Sequence, residues 1–398
     1  MNRPKVLFVD RQGALAVWSL LIPVARQLEE SGWDTGFVMM SDESGRGIPD
    51  ITCSLGIFRI TVPYKRWPGD LLRQSSSFRA QFDRLVARVS PDVIHVNFAI
   101  PGIWARQVAG RRRVPFLVST QHELAGSLAP HLRLGLWSSR RRVDVHTYVS
   151  DTVAASFGHA GAPVQLEDEV VPSHVVIRNG VDIDTIRPFR ASRDAAVPGR
   201  IVAPGRLMPE KGQALLVRAL AEVRRTHPQA HLIFAGSGPE EDRLRDLAEE
   251  LGVSGAVTFK GWLSREALWR LLASGQVAAF ASDGKQEGFG LALAEAALLE
   301  TPLVVSRIAA FREVMAGDED AAWWFRTEDE GSLVSALRAA LSAVSAERAR
   351  RIARAARAAR ERATQSRMIE QYTRLYDRFA AVIAGRPKQD YRINAKRY

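Results

Sequence analysis

Two successive α/β domains, each an open, doubly wound parallel sheet, are predicted from three observations. The 398 residues exceed the length that one hydrophobic core usually serves. Short β-rich apolar runs that do not alternate recur along the whole chain with helical stretches between them, as strands buried on both faces of a parallel sheet require. A polar segment without periodicity, Asp182–Arg200, punctuated by Pro188, Pro198 and Gly199, interrupts this alternation near mid-chain.

In chain order, the first half offers strands at Val6–Asp10, Thr35–Met40, Phe58–Val62, Val93–Asn97, Phe116–Thr120 and Thr147–Ser150. The second half offers Ile201–Pro204, His231–Ala235, Val257–Lys260, Val277–Ala281, Pro302–Val305 and Ala322–Phe325. Helices are expected over residues 15–28, Gln213–Thr226, Glu240–Leu251, Ala292–Leu299 and 311–316. The expected division is a first domain over 1–182, a second over 183–365, and a basic helical tail over 366–398 that crosses back to the first. In open sheets of this kind ligands bind outside the carboxyl ends of the strands, so a site between the two domains is expected.

A hydrophobic content of 46% with 25% charged residues is that of a folded globular chain. The single cysteine, Cys53, cannot form an internal disulfide, which fits a reducing compartment. The apolar stretch Ala14–Ala25 is broken by Ser19 and Pro23 and is too short to span a bilayer. A cytoplasmic protein is expected, with the inner membrane face as a peripheral location.

The net charge of +11 is concentrated at one end. From Leu341 to Tyr398 there are 15 Lys/Arg against five Asp/Glu, leaving +1 for the other 340 residues. Within that stretch Ala349, Ile352, Ala356, Ala359 and Ala363 recur at spacings of three and four, while Arg350, Arg354 and Arg357 fall on the other side. This is an amphipathic helix with a solvated basic face. No aromatic residues interleave with the arginines, so a nucleic-acid partner is not expected.

Two blocks carry the chemistry. The first, Pro204-Gly205-Arg206-Leu207-Met208-Pro209-Glu210-Lys211-Gly212, sets two cations after a strand and before the helix that begins near Gln213, whose free N–H groups also favour an anion. On a plainer reading, Glu210 and Lys211 only decorate a helix start. The second, Glu287-Gly288-Phe289-Gly290-Leu291-Ala292-Leu293-Ala294-Glu295, follows the strand end Phe280-Ala281-Ser282. Its glycines allow close backbone approach, and the next helix points its positive end at the same place. Glu295 lies one turn into an otherwise apolar helix, so a buried carboxylate there needs a partner, and sugar hydroxyls would serve. Cations and amides suit a diphosphate; carboxylates suit hydroxyls.

These blocks resemble the signatures of the retaining nucleotide-sugar glycosyltransferases of family 4, which have the GT-B fold: two Rossmann-like domains facing each other across a cleft. Smaller stretches in the same order extend the resemblance over roughly Lys5 to Arg378: Pro91-Asp92-Val93-Ile94-His95-Val96, Ser119-Thr120-Gln121-His122-Glu123, Val176-Ile177-Arg178-Asn179-Gly180-Val181-Asp182, Phe234-Ala235-Gly236-Ser237-Gly238-Pro239 and Phe259-Lys260-Gly261-Trp262-Leu263.

The resemblance implies that Arg206 and Lys211, helped by the amides of Phe289, Gly290 and Leu291, bind the donor diphosphate. It implies that Glu295 binds ribose, that the base rests near Lys260, Gly261, Trp262 and Leu263, and that Glu287 and His122 act at the transferred sugar. Where the family often has a Gly-Gly pair after the first strand, this chain has Asp10-Arg11-Gln12-Gly13-Ala14-Leu15, so that Gly13 alone supplies that close-approach turn. His95, in an apolar strand, is read as a core residue, and Asn97 is given no role.

A retaining transfer from a nucleoside diphosphate-sugar to an acceptor hydroxyl follows, with a UDP-sugar as the expected donor and a GDP-sugar as the alternative. No cofactor is expected beyond this co-substrate. No catalytic metal is expected either, because Asp182-Ile183-Asp184 and Asp318-Glu319-Asp320 both stand away from the phosphate block. The acceptor is expected to be a sugar, a lipid-linked molecule or a small molecule. In Gly126–Arg142, Leu132, Leu134, Leu136 and Trp137 combine with Arg133 and Arg140–Arg142, either as an amphipathic lip at a membrane surface or as a packed helix with a basic end. A nucleotide-sugar epimerase of the same architecture and a non-catalytic binding module remain as alternatives.

Overall fold

The computed structural model of the chain describes residues 3–11, 15–42, 52–64, 69–159, 173–190 and 196–385. Among these, the residues up to Arg178 and from Arg367 onward gather into one compact unit, and Asn179–Ser366 into a second.

The first unit is built on seven strands: β1 (Lys5–Arg11), β2 (Asp34–Asp42), β3 (Gly56–Val62), β4 (Val93–Asn97), β5 (Phe116–Gln121), β6 (Val145–Tyr148) and β7 (His174–Val176). All pairings are parallel, in the order β3-β2-β1-β4-β5-β6-β7. Every residue of β4 and β5 is buried, because helices cover both faces. Those helices are α1 (Leu15–Glu30), α2 (Asp70–Val89), α3 (Ala99–Arg112), α4 (Pro130–Ser139) and α5 (Asp151–Ser156). On α2, Phe78, Phe82, Leu85 and Val89 recur at helical spacing and pack with Leu7, Val9 and Val96 in one core.

The second unit has six parallel strands, β8 (Val197–Pro204), β9 (His231–Ala235), β10 (Val257–Phe259), β11 (Gly275–Phe280), β12 (Leu303–Ser306) and β13 (Trp323–Phe325), in the order β10-β9-β8-β11-β12-β13. Its helices are α6 (Ile183–Ile186), α7 (Gln213–Arg224), α8 (Glu241–Glu250), α9 (Arg265–Ala273), α10 (Leu291–Leu298), α11 (Ala309–Val314), α12 (Glu330–Ser342) and α13 (Ser345–Arg362). Leu216, Leu220 and Val223 of α7 pack with Leu333 and Leu337 of α12 over Ile201, Leu232 and Val277. The last helix, α14 (Gln365–Gly385), belongs to the first unit from Arg367 onward. There Phe379 stacks on Phe116 with ring centroids 4.4 Å apart.

Strand order places one switch point in each sheet. In the first, winding reverses between β1 and β4; in the second, between β8 and β11. The carboxyl ends flanking these points are where open α/β sheets hold ligands.

Several elements differ from the sequence reading. β6 starts at Val145 and ends before Ser150, because the Ser150 hydroxyl accepts the Val153 N–H (2.9 Å) and caps α5. Three-residue β7 carries too short an apolar signal to stand out. Pro198 and Gly199 lie inside β8 rather than in a connecting segment.

The basic face of α13 is also less solvated than its periodicity suggests. Arg354 Nε donates to Asp318 (2.8 Å), Arg351 donates to the Ala322 carbonyl (2.9 Å), and Arg360 approaches Glu300 (3.5 Å). The buried stripe is wider than predicted, including Ala355 and Ala358. Arg350 and Arg357 stay exposed, while Arg351, Arg354 and Arg360 tie α13 to its own unit.

Candidate active site

The two blocks meet at the switch point of the second sheet. β8 and β11 are adjacent, with Val202 opposite Ala278, so their carboxyl ends deliver residues 205–212 and 281–290 side by side. The loops are then stitched together. The Glu210 carbonyl accepts from the Ser282 hydroxyl (3.1 Å) and the Asp283 N–H (3.0 Å).

Gly212 sits in the left-handed region (φ 69°) so close to Ala281 that a Cβ would lie 2.1 Å from its carbonyl oxygen. No other residue fits there. The result brings Lys211 Nζ to 2.7 Å from Glu287 Oε2, with both side chains mostly buried.

Lys211, Glu287, Gly290 and Leu291 line one cavity of about 80 Å³ at this point, with Gly205, Gln213 and Ser282. Gly290 (φ 100°) caps α10, and the N–H groups of Leu291 and Ala292 in its first turn have no partner among the described residues. Gln213 donates to the Arg206 carbonyl (2.8 Å), and its buried Oε1 accepts no hydrogen bond from the described residues. The Arg206 side chain is exposed beside this cavity rather than in its lining. The Phe289 side chain is buried, which leaves its backbone as the group available to a ligand. An ammonium group, free amides at a positive helix end and glycine-permitted close approach together form an anion site.

Glu295 stands apart from that cavity. It is buried as expected, but its partner is a residue the sequence did not suggest: Arg265 at the start of α9 donates from Nε to Glu295 Oε1 (3.2 Å). Burial raises the Glu295 pKa, and the Arg265 charge pulls the other way. The partner that a buried carboxylate needs here is thus supplied within the protein by Arg265, beside the sugar hydroxyls that the sequence reading offered. Residues 260–263 follow β10 at the sheet edge. Lys260 donates its N–H to the Phe234 carbonyl (2.9 Å), Gly261 bridges Gly236, and Trp262 is exposed.

In the first unit the switch point gathers Asp10 and Arg11 at the end of β1, Asn97 at the end of β4 with Phe98 after it, and His122 and Glu123 after the neighbouring β5. Phe98 packs against His122 with the rings tilted (centroids 4.8 Å apart), Arg11 lies over the Phe98 ring (4.8 Å), and His122 Nε2 is 3.0 Å from Asn97 Oδ1. With the amide oxygen as acceptor, Nε2 carries the imidazole proton and Nδ1 is left as the basic nitrogen. Burial lowers the His122 pKa, so the ring is neutral at pH 7.

Asn97, given no role from sequence, thus orients His122 across 25 residues; only the strand register reveals this. Asp10 is buried, and burial pushes its carboxyl up to about 8. Gly13 lies outside the described residues. His95 is the core residue anticipated: Nε2 meets the Thr120 hydroxyl (2.6 Å) and Nδ1 the Tyr376 hydroxyl on α14 (2.9 Å).

Both Asp-x-Asp patterns are otherwise engaged. Asp182 caps α6 through the Asp184 and Thr185 N–H groups, and Asp318 binds Arg354. Among the described residues no group of three or more His, Cys, Asp or Glu is placed to hold a metal, and no helix is long and apolar enough to cross a membrane.

Two doubly wound parallel sheets in sequence, the second with an anion site at its switch point, define a GT-B fold. HepE of Anabaena, solved in complex with UDP and glucose, aligns over 94% of this chain and 99% of its own with a TM-score of 0.75 at 19% identity. Sucrose-phosphate synthase of Thermosynechococcus elongatus aligns over 96% and 100% at a TM-score of 0.73, also at 19% identity.

Sequence similarity identifies the family. Residues 190–359 match the glycosyl transferases group 1 family, and residues 20–185 match Glycosyltransferase Family 4. A GDP-mannose-dependent alpha-(1-6)-phosphatidylinositol dimannoside mannosyltransferase of Mycobacterium tuberculosis is 31% identical over 67% of this chain and 70% of its own. The chain therefore belongs to glycosyltransferase family 4. A glycogen synthase of the same organism is 33% identical over 63% of this chain; the match spans 60% of that protein's length.

Proposed function

We propose that this protein transfers a sugar from a nucleoside diphosphate-sugar to an acceptor hydroxyl, with retention at the anomeric carbon and without a metal ion or cofactor. The observation that carries this reading is the meeting of Lys211, Glu287 and the open N-terminus of α10 around one cavity. Lys211, Arg206 and the amides of residues 289–291 take the diphosphate and stabilise the charge that develops as it departs. Where those groups already neutralise the leaving group, a divalent ion has little left to do.

Glu287, now held by Lys211, turns to the sugar hydroxyls once phosphate replaces it as the lysine's partner. Glu295 binds the ribose with Arg265 as its neighbour, and residues 260–263 support the base through backbone contacts. His122, neutral and oriented by Asn97, contributes to the transfer step with Nδ1. Retention follows most economically from departure and attack on one face of the sugar, the departing phosphate taking the acceptor proton.

Both donor classes have support: HepE was solved with UDP, and the mycobacterial relative is GDP-mannose-dependent. A UDP-sugar remains the first expectation. The acceptor is a sugar, a lipid-linked molecule or a small molecule, and the reaction is cytoplasmic or peripheral to the inner membrane face, in glycan, glycolipid or natural-product assembly.

A panel of UDP-, GDP- and ADP-sugars, with and without EDTA, tests the reading. Acceptor-dependent release of nucleoside diphosphate that survives EDTA, with a product retaining the anomeric configuration by NMR, is expected. Conversion of the donor alone would indicate an epimerase, and no turnover with any donor a binding module. Inversion, or activity lost to EDTA and restored by magnesium or manganese, would overturn the mechanism.

A further inference from the structure

We propose that the first unit carries a second ligand site, for an anion that bears an apolar group, in the cavity lined by α3, α4 and the β5–β7 side of the sheet. The cavity has a volume of about 870 Å³, shares no residue with the one around Lys211, and is of the size that small-molecule ligands fill.

Its decisive feature is Arg106 of α3, fully buried in the cavity wall. The guanidinium donates from Nη1 to the Ser139 hydroxyl (3.1 Å) and the Leu136 carbonyl (3.4 Å), and from Nη2 to the Ser119 hydroxyl. All of these partners are neutral. The Nε–H is buried with no acceptor among the described residues. Burial lowers the pKa only to about 10, so the group remains a cation at neutral pH. A buried charge without a counter-charge is costly, and natural proteins pair such groups or present them to a charged ligand.

The surroundings select the sign and character of that ligand. Arg133, Arg140 and Arg141, all exposed, also line the cavity, and its described lining contains no Asp or Glu. Trp137 and Leu134 expose 60% and 63% of their surface at the same wall, so apolar area borders the charge. Three stacked histidine rings, His146, His174 and His159, complete one side; burial lowers all three pKa values, which keeps them from adding charge of their own at pH 7. A phosphate or carboxylate carrying a short alkyl or comparable apolar group meets both requirements, the acid at Arg106 and the apolar part against Trp137 and Leu134.

Calorimetry on the full chain with octyl phosphate, octyl glucoside and inorganic phosphate tests this. Octyl phosphate is expected to bind more tightly than either control. Arg106→Met should weaken it by roughly tenfold or more, the equivalent of one charge-assisted hydrogen bond, while leaving octyl glucoside unchanged. Should Arg106→Met fail to fold, the exposed pair Arg133→Ala/Arg141→Ala keeps the test open, with several-fold weaker octyl phosphate binding expected at an unaltered Tm. Lys211→Ala should leave octyl phosphate affinity as it was. Octyl phosphate binding no tighter than octyl glucoside, insensitivity to the folded arginine variants, or loss of binding in Lys211→Ala would overturn the proposal.

Discussion

Replacing Lys211 separates two roles that its geometry combines. In the free protein the ammonium is 2.7 Å from Glu287, with the lysine 24% and the glutamate 14% exposed. A charge-assisted hydrogen bond is worth about 1.5–3 kcal/mol, and the partial exposure of Lys211 moves the expectation to the lower end, about 1–2 kcal/mol. Lys211→Met should therefore lower stability by that amount, mainly by leaving Glu287 without its cation. Adding Glu287→Gln removes the stranded charge and should recover at least half of the loss. Nucleotide binding should recover not at all. Urea unfolding with and without UDP at about a hundred times its Kd reads both effects: the nucleotide adds roughly 2.7 kcal/mol to the wild type and little to either variant. If UDP stabilises the double variant as much as the wild type, Lys211 is a structural ion-pair partner and not a phosphate ligand.

Three further outcomes are expected. Glu295→Gln should raise the donor KM with little change in kcat, because a ribose contact is made about equally in ground and transition states; a fall in kcat at unchanged KM would contradict it. Asn97→Ala should lower kcat while leaving calorimetric UDP affinity unchanged, since it releases the His122 ring and touches no proposed nucleotide contact; normal turnover would remove His122 orientation from the account. The Asp10 carboxyl has a pKa of about 8 in the folded protein against an ordinary value of 3.8, so between these values the folded state holds a proton that the unfolded state has lost. Its contribution to stability therefore falls as pH rises through that window. The wild-type minus Asp10→Asn difference in unfolding free energy should decline from about pH 4 to about pH 8, and a flat difference would show that Asp10 is ionised.

The fold was largely legible because its strands are buried on both faces and so read as compact apolar runs; Val93–Asn97 and His231–Ala235 match the expected bounds residue for residue. What failed did so for local reasons. Ser150 reads as the end of a strand but is a helix cap, and β7 is three residues long. The site was legible as types of group, not as partners. Lys211 and Glu287 were each assigned a ligand, yet their pairing across 76 positions depends on β8 and β11 being neighbours. Likewise, the need of Glu295 for a partner was readable from its apolar helix, but nothing near it in sequence points to Arg265, 30 positions away. Charge count likewise could not show that Arg354 and Arg360 of α13 meet Asp318 and Glu300, which lie far back in the chain.

On the proposed function, a nucleoside diphosphate is held at the carboxyl ends of β8 and β11. A crystal structure of the protein with UDP tests it most directly. A diphosphate oxygen is expected within hydrogen-bond distance of Lys211 Nζ, another facing the free N–H groups that open α10, and Glu287 released from the lysine. UDP bound elsewhere, with the Lys211–Glu287 pair intact, would contradict it.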